Sequence, residues 1–342
     1  MGTDLFRRTR RSTRLLTAAG VVTALALTTG GSSPATAAAA PAPQAHVLAR
    51  LGPVHQTFAE DLALGHDGRL YVSRTVWGDR NEGRIVTVGV HGGHRHFGPS
   101  LDLGPTGMLL GVAAGPAGRV YVAWYDFGGK SRSFVYRVTR NSAARVATLP
   151  HGVWPNDLSF HQGRLHVSDS ARGSVWRFRP GPAVQHLQRP WVHSPLLRPS
   201  APGGIGVNGI GFRGDDLLAV NADRGTLVRV PVSRSGRAGT PSVVARTHRL
   251  QTADGLAVDR HGAWVVTNGV GTSAPPRDQH LLRLDRAGHV VRTWTDLRWM
   301  NYPTSVVASG HRLFVTDGAF HDGRADVVAL RLAGRAGQRS SL

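Results

Sequence analysis

Six short phrases recur along the chain, and the residue that opens each is the place to look for chemistry. The opening residues are Glu60, Leu110, Asn156, Asn208, Asp254 and Thr304, separated by 50, 46, 52, 46 and 50 residues. A single Asn or Asp at such a position is ordinary turn chemistry. A Glu, two Asn and an Asp in one register are not, because Glu is a poor turn residue. Carboxylate and amide oxygens that converge on a point are what a hard divalent cation such as Ca2+, Mg2+ or Mn2+ requires. The chain has no cysteine, so no thiolate site, cysteine nucleophile or disulfide framework competes with that reading.

The elements that position these residues are strands. Each phrase is an apolar alternation, a Gly or polar break, and a second apolar run, as in Glu60-Asp61-Leu62-Ala63 leading to Gly68-Arg69-Leu70-Tyr71-Val72. This describes a pair of short strands joined by a tight turn. A third strand-like run follows most phrases, including Ser133 to Val138, Ser174 to Phe178 and Asp326 to Leu332. A repeat of about 45–50 residues with four strands and no long helical pattern is a propeller blade. Six repeats predict an all-β, six-bladed β-propeller with four-stranded antiparallel blades over residues 45–333. The sixth blade lacks a fourth strand of its own, so His46 to Leu51 is expected to supply it and close the ring.

In such a fold the innermost strands line a central channel, and the phrase openings form a ring at one mouth. The ends of the next strands, at Ser73, Ala123, Asp169, Asn221, Asn268 and Asp317, are expected to form a second ring behind it. Trp77, Trp124, Tyr125 and Trp154 are expected near the mouth, and residues 190–207 as a loop and lid over it.

The ends of the chain read differently. Arg7, Arg8, Arg10, Arg11 and Arg14 precede an apolar run from Leu15 to Leu27 and an Ala35-Thr36-Ala37 site. That is the pattern of a secretory signal peptide, and its short centre falls below the ~20 residues of a membrane span. Residues 1–44 are read as signal peptide and Ala/Pro-rich leader, and residues 334–342 as a polar tail. The mature protein is expected outside the cell with no stable membrane anchor, by the Sec or the twin-arginine route. The formal charge of +20 shrinks accordingly. Cleavage removes five of the 41 basic residues and one of the 21 acidic ones, which leaves +16. Nearly all of it is scattered arginine, with Lys130 the only lysine, and no basic run with interleaved aromatics follows the leader. A nucleic-acid partner is therefore not expected. No His-Glu-x-x-His or Gly-x-Ser-x-Gly occurs, which argues against a zinc protease and an α/β-hydrolase.

The phrases Ala59-Glu60-Asp61, Pro155-Asn156-Asp157, Val207-Asn208-Gly209-Ile210, Ala253-Asp254-Gly255-Leu256-Ala257-Val258-Asp259 and Pro303-Thr304-Ser305 resemble the regucalcin/gluconolactonase family. This group also includes the senescence marker protein and the luciferin-regenerating enzyme. The resemblance runs from about Glu60 to Leu332. It implies a six-bladed propeller holding one divalent cation, Ca2+ first with Mg2+, Mn2+ or Zn2+ as alternatives, through Glu60, Asn208 and Asp254. It implies Asn156 as a substrate contact and Asp254 as the catalytic base of a lactone or ester hydrolysis. Trp154 stands where sugar-lactone members have an arginine, and Trp154 and Thr304 join Asn156 as expected substrate contacts. Asp157 and Asp61 also depart from the family pattern. Two other readings compete. One is a secreted propeller that binds a small molecule or a protein without turning it over, with a structural metal. The other is a lyase, which needs a catalytic histidine at the mouth, where His55, His151 and His161 are the nearest.

Overall fold

The computed structural model describes residues 44–53, 56–128, 132–269, 279–295, 297, 300–318 and 324–332. The expected leader (but for Gln44) and the polar tail lie outside them, as do His55 and Lys130. The described residues form six sheets, antiparallel but for one two-residue edge strand, and their only helices are two single 3-10 turns. Each of the six sheets is one blade, so the protein is a six-bladed β-propeller.

From the channel outward, blade 1 consists of Thr57–Leu64, Leu70–Val76, Asn81–Val88 and His94–Gly104. The inner strands of blades 2 to 6 are Gly107–Ala114, Pro155–His161, Val207–Arg213, Ala253–Asp259 and Pro303–Ser309. Two blades depart from four regular strands. The outer strand of blade 3 is reduced to Val192–His193, and Gln185–His186 adds in parallel to the outer edge of blade 2. Blade 6 takes its outer strand from the start of the chain: Gln44–Arg50 pairs antiparallel with Asp326–Arg331. This closure ties the two ends of the propeller together and leaves no unpaired edge at the seam.

Period-two alternation explains why each sheet presents one apolar row to each neighbour. The buried residues fall into six clusters, one at each blade-to-blade interface. Val72 and Leu62 of blade 1 meet Phe314 and Val327 of blade 6, for instance, while Tyr71 and Ile85 meet Val112 and Val122 of blade 2. No single core exists, and each blade is held through two interfaces.

The feature that matters for the site is a break in the ladder. In blades 1 to 5 the pairing slips between the residue before the phrase and the residue two after its opening, as between Ala59 and Leu62 or Ala253 and Leu256. In blade 6 it slips at Thr304. Every inner strand thus carries a β-bulge where the phrase opens, and a bulge re-aims the side chains it carries. Three of the bulges contain glycine for want of space. A Cβ on Gly209 would meet Asp254 O at 2.4 Å, and one on Gly255 would meet Ser305 Cα at 2.4 Å. These glycines let neighbouring inner strands converge on the channel axis.

Candidate active site at the channel mouth

All six phrase-opening residues are buried on the bulges of the inner strands. Asp254 is the best held of them. Asn268 Nδ2 donates to its Oδ2 at 2.8 Å, and the Asn208 amide lies near enough to favour its ionised form. Burial nevertheless pushes the Asp254 carboxyl up to about 7, with Asp61 adding to the rise against the two amides. Glu60 lies well above the usual carboxylate range, because burial is joined by the negative fields of Asp254, Asp61 and Asp157. None of the groups that shift Glu60 is a cation. A buried set of acids so arranged must hold either protons or a positive ion.

The donor set suits a hard cation. Glu60 and Asp254 supply carboxylate oxygens, and the amide of Asn208, beside Asp254, supplies a carbonyl oxygen. Among the described residues no three of His, Cys, Asp and Glu are grouped to hold a metal, so the amide oxygen has to complete any such shell. Asn156 donates to Ser170 Oγ at 3.1 Å, and Ser170 donates to Val207 O at 2.7 Å. Its amide is thereby fixed between blades 3 and 4, with one further N–H and its carbonyl oxygen in hand. Thr304 is placed differently. Its hydroxyl donates to Ala59 O at 3.2 Å and lies 2.9 Å from the Thr316 hydroxyl, so it joins blade 6 to blade 1 within the wall.

Directly after the ring comes a second layer that sequence reasoning missed. The residues following the openings are Asp61, Gly111, Asp157, Gly209, Gly255 and Ser305. Asp61 Oδ1 accepts from Leu62 N at 2.8 Å and from Ser305 Oγ, and its Oδ2 accepts from Val112 N at 2.6 Å. Asp157 Oδ2 accepts from Ile210 N at 2.6 Å. The two carboxyls are near enough across the axis for each to shift the other. Burial raises Asp61 to about 6 and lifts Asp157 well above the usual carboxylate range, with the negative field of Asp61 adding to the rise. Both acids line a cavity of about 270 Å³, together with Phe160 and Phe212 at the far ends of the inner strands.

The expected second ring is not one ring. Ser73 and Ala123 stand opposite the bulges of blades 1 and 2, but Asp169, Asn221 and Asp317 pair one position further on, and Asn268 lies beyond its strand. The residues opposite the bulges are Ser73, Ala123, Ser168, Val220, Val266 and Thr316. Where the bulge carries Asp or Ser, a hydroxyl receives its amide: Asp61 N to Ser73, Asp157 N to Ser168 and Ser305 N to Thr316, at 2.8–3.0 Å. Of the expected second ring, Asn268 supports the site directly. Asp169 accepts from Trp154 N, Arg172 N and Trp176 Nε1, and Asp317 accepts from Asn301 N and Tyr302 N. Both act as turn caps.

Other expectations need correction. His161 closes the inner strand of blade 3 at the face away from Asn156, where it stacks on Phe212 at 4.0 Å. His151 is exposed, with its carbonyl bonded to Arg172. Trp124 is buried between blades 1 and 2 and stacks on Phe134. Trp77, Tyr125 and Trp154 belong instead to a cluster with Leu110, Phe58 and Tyr302. Residues 190–207 form a fixed wall and not a free lid. Asn221 donates to Leu196 O and Arg198 O, Ser200 donates to Asp223, and Gly206 N donates to Ser170 O.

No protein-family model matches the sequence, and no curated protein matches it either. Solved structures do. A putative oxidoreductase (glucose dehydrogenase) from Thermus thermophilus superposes with a TM-score of 0.56 at 17% identity, covering 84% of this chain and 100% of its own. A putative gluconolactonase gives 0.54 at 13% identity, covering 86% and 94%. A gluconolactonase from Xanthomonas campestris gives 0.50 at 16% identity, covering 86% and 96%. What the chain has in common with these proteins at such identities is the propeller fold.

Proposed function

We propose that this chain is a secreted, metal-dependent hydrolase of the gluconolactonase-like type, which opens a lactone or related ester at the channel mouth. The observation that carries the reading is Asp254: a buried carboxylate on a bulge, oriented by the amides of Asn208 and Asn268, on the same ring as Glu60. The gluconolactonases among its fold relatives add support. Glu60, Asn208 and Asp254 would hold one divalent cation, with Ca2+ favoured by the all-oxygen donor set. Such an ion would supply Lewis acidity toward an ester carbonyl.

The protein's own residues account for the rest. Asp254, ionised beside the two amides, takes a proton from the attacking water as its oxygen bonds to the carbonyl carbon. Asn156, fixed by Ser170, donates its remaining N–H to the substrate carbonyl oxygen, where negative charge develops. The C–O bond of the ester then breaks, and the departing oxygen takes the proton from Asp254 to give a hydroxy acid. Burial of the ring strengthens each of these interactions by excluding water.

The test is a panel of γ- and δ-lactones and aryl esters, assayed with and without chelator and with Ca2+ restored. Chelator-sensitive hydrolysis that Asp254→Ala abolishes is the expected result. A fully active Asp254→Ala enzyme would overturn the assignment. A protein that turns over nothing but binds a small molecule or protein would be the binding platform instead.

A further inference from the structure

The mouth has two unlike sides. Two residues before the ring, blades 6, 1, 2 and 3 carry Tyr302, Phe58, Met108 and Trp154, whereas blades 4 and 5 carry Gly206 and Thr252. The polar residues Asn208, Asn268 and Asp254 sit on the side with no ring. Leu110, the one apolar residue of the ring itself, packs into the aromatic cluster.

The aromatic side is organised. Tyr125 and Trp154 stack with their planes 7° apart and centroids 5.9 Å apart. Phe127 sets its edge against both, at 4.5 and 5.7 Å, and is 49% exposed. Tyr302 joins Phe58 at 6.4 Å, and burial together with Asp254 and Glu60 raises its phenol, so its hydroxyl lies within the field of the acidic ring. The indole Nε1 of Trp154 is sealed from solvent without a partner in the protein. What Trp154 and Phe127 offer a ligand is therefore ring carbon.

On the reading of Asp254 as the hydrolytic centre, we propose that the substrate carries a flat apolar substituent, an aryl group above all, that packs against Trp154 and Phe127. The reacting carbonyl lies toward Asp254 and Asn156. A polyhydroxylated lactone placed there would lose hydrogen bonds to water along the ring face and regain none from it. An aryl group would gain the stacking and edge contacts that aromatic pairs favour, and would cover the exposed ring of Phe127.

The experiment compares γ-phenyl-γ-butyrolactone with glucono-δ-lactone in the wild type and in Trp154→Ala, Trp154→Phe and Phe127→Ala. Calorimetry with the ring-opened phenyl hydroxy acid follows binding independently of turnover. The expected result is a kcat/KM ratio of about tenfold or more in favour of the phenyl lactone. That ratio collapses toward unity in Trp154→Ala, falls in Phe127→Ala and returns in Trp154→Phe. A preference for glucono-δ-lactone, or a ratio indifferent to both alanine variants, overturns the proposal. If neither lactone is hydrolysed but the phenyl acid binds in a Trp154-dependent way, the aromatic subsite stands and the hydrolase reading fails. No turnover and no binding overturns both.

Discussion

Asn268 donates a 2.8 Å hydrogen bond to Asp254 from just beyond the second strand of blade 5. Together with Asn208 it opposes the burial that drives the Asp254 carboxyl up to about 7. An amide in this place orients the carboxylate and keeps it ionised near neutral pH. Asn268→Ala is therefore expected to cut kcat/KM for lactone hydrolysis by about 10–100-fold, the usual cost of removing such a partner. The acid limb of the pH–rate profile should move upward at the same time. Asp254→Asn, by contrast, should remove turnover altogether. Equal activity of Asn268→Ala and the wild type across pH 6–8 would show that the hydrogen bond is incidental.

Glu60 supplies a second test, one that needs no substrate. Its ionisation is opposed by burial and by three neighbouring acids, so without a cation the ionised ring would carry unrelieved repulsion. A bound cation relieves that repulsion, and ligand at a hundred times its Kd stabilises by about 2.7 kcal/mol. Millimolar Ca2+ should raise the Tm of the wild type by several degrees, and chelator should reverse it. In Glu60→Gln the metal-free protein should melt higher than the metal-free wild type at pH 8, because one buried charge is gone. The same variant should respond little to Ca2+. A Glu60→Gln protein with the full Ca2+ shift would remove Glu60 from the site.

Legibility from sequence followed the physics of each feature. The blades were readable because strands alternate every two residues and the six phrases are local, and the closing strand was readable because blade 6 lacked one. The ring of Glu60, Asn156, Asn208 and Asp254 was readable because one class of residue recurs at one phrase position. The bulges were not, and they moved the register. Counting to the end of each second strand placed Ser73 with Asp169, whereas pairing sets Ser73 against Glu60-Asp61 and Asp169 against Pro155. The Asp61–Asp157 contact joins blades 1 and 3 across the axis, and no local spacing announces it. Both residues had stood out only as departures from the family pattern. Trp124 and Trp154 are alike in sequence, and blade packing alone sends one between sheets and leaves the other at the mouth.

Asp169 makes the fold itself pH-dependent. It accepts from Trp154 N, Arg172 N and Trp176 Nε1, yet burial outweighs these bonds and lifts its carboxyl from 3.8 to about 6. A carboxyl that holds its proton more tightly folded than unfolded favours the fold while protonated. That contribution is complete below about pH 4 and is lost as the pH rises through 6. The shift corresponds to about 3 kcal/mol. Tm of the chelated protein should fall between pH 4 and pH 7, and Asp169→Asn should flatten that slope by on the order of 5 °C. Urea midpoints at pH 4 and 7 give an independent reading. Parallel slopes for variant and wild type would mean that Asp169 does not titrate in this window.

Asp61 ties three blades at once. From blade 1 its carboxylate accepts Val112 N of blade 2 at 2.6 Å and the Ser305 hydroxyl of blade 6. Asp61→Ala leaves two buried amides, Leu62 N and Val112 N, and the buried Ser305 hydroxyl without their acceptor, each at a cost of about 1–3 kcal/mol. Removing one acid also lifts repulsion from Glu60, so the net loss should be about 2–4 kcal/mol, less than the unpaired donors alone would impose. Asp61→Asn keeps one carbonyl acceptor and should lose less than half as much. The two effects separate with pH. At pH 8, where Glu60 and Asp61 repel most, Asp61→Ala should approach the wild type, and at pH 5 it should fall furthest behind. Chemical denaturation of the chelated proteins at the two pH values checks this. A deficit that is the same at both would mean that Asp61 acts through its hydrogen bonds alone and exerts no field on the ring above it.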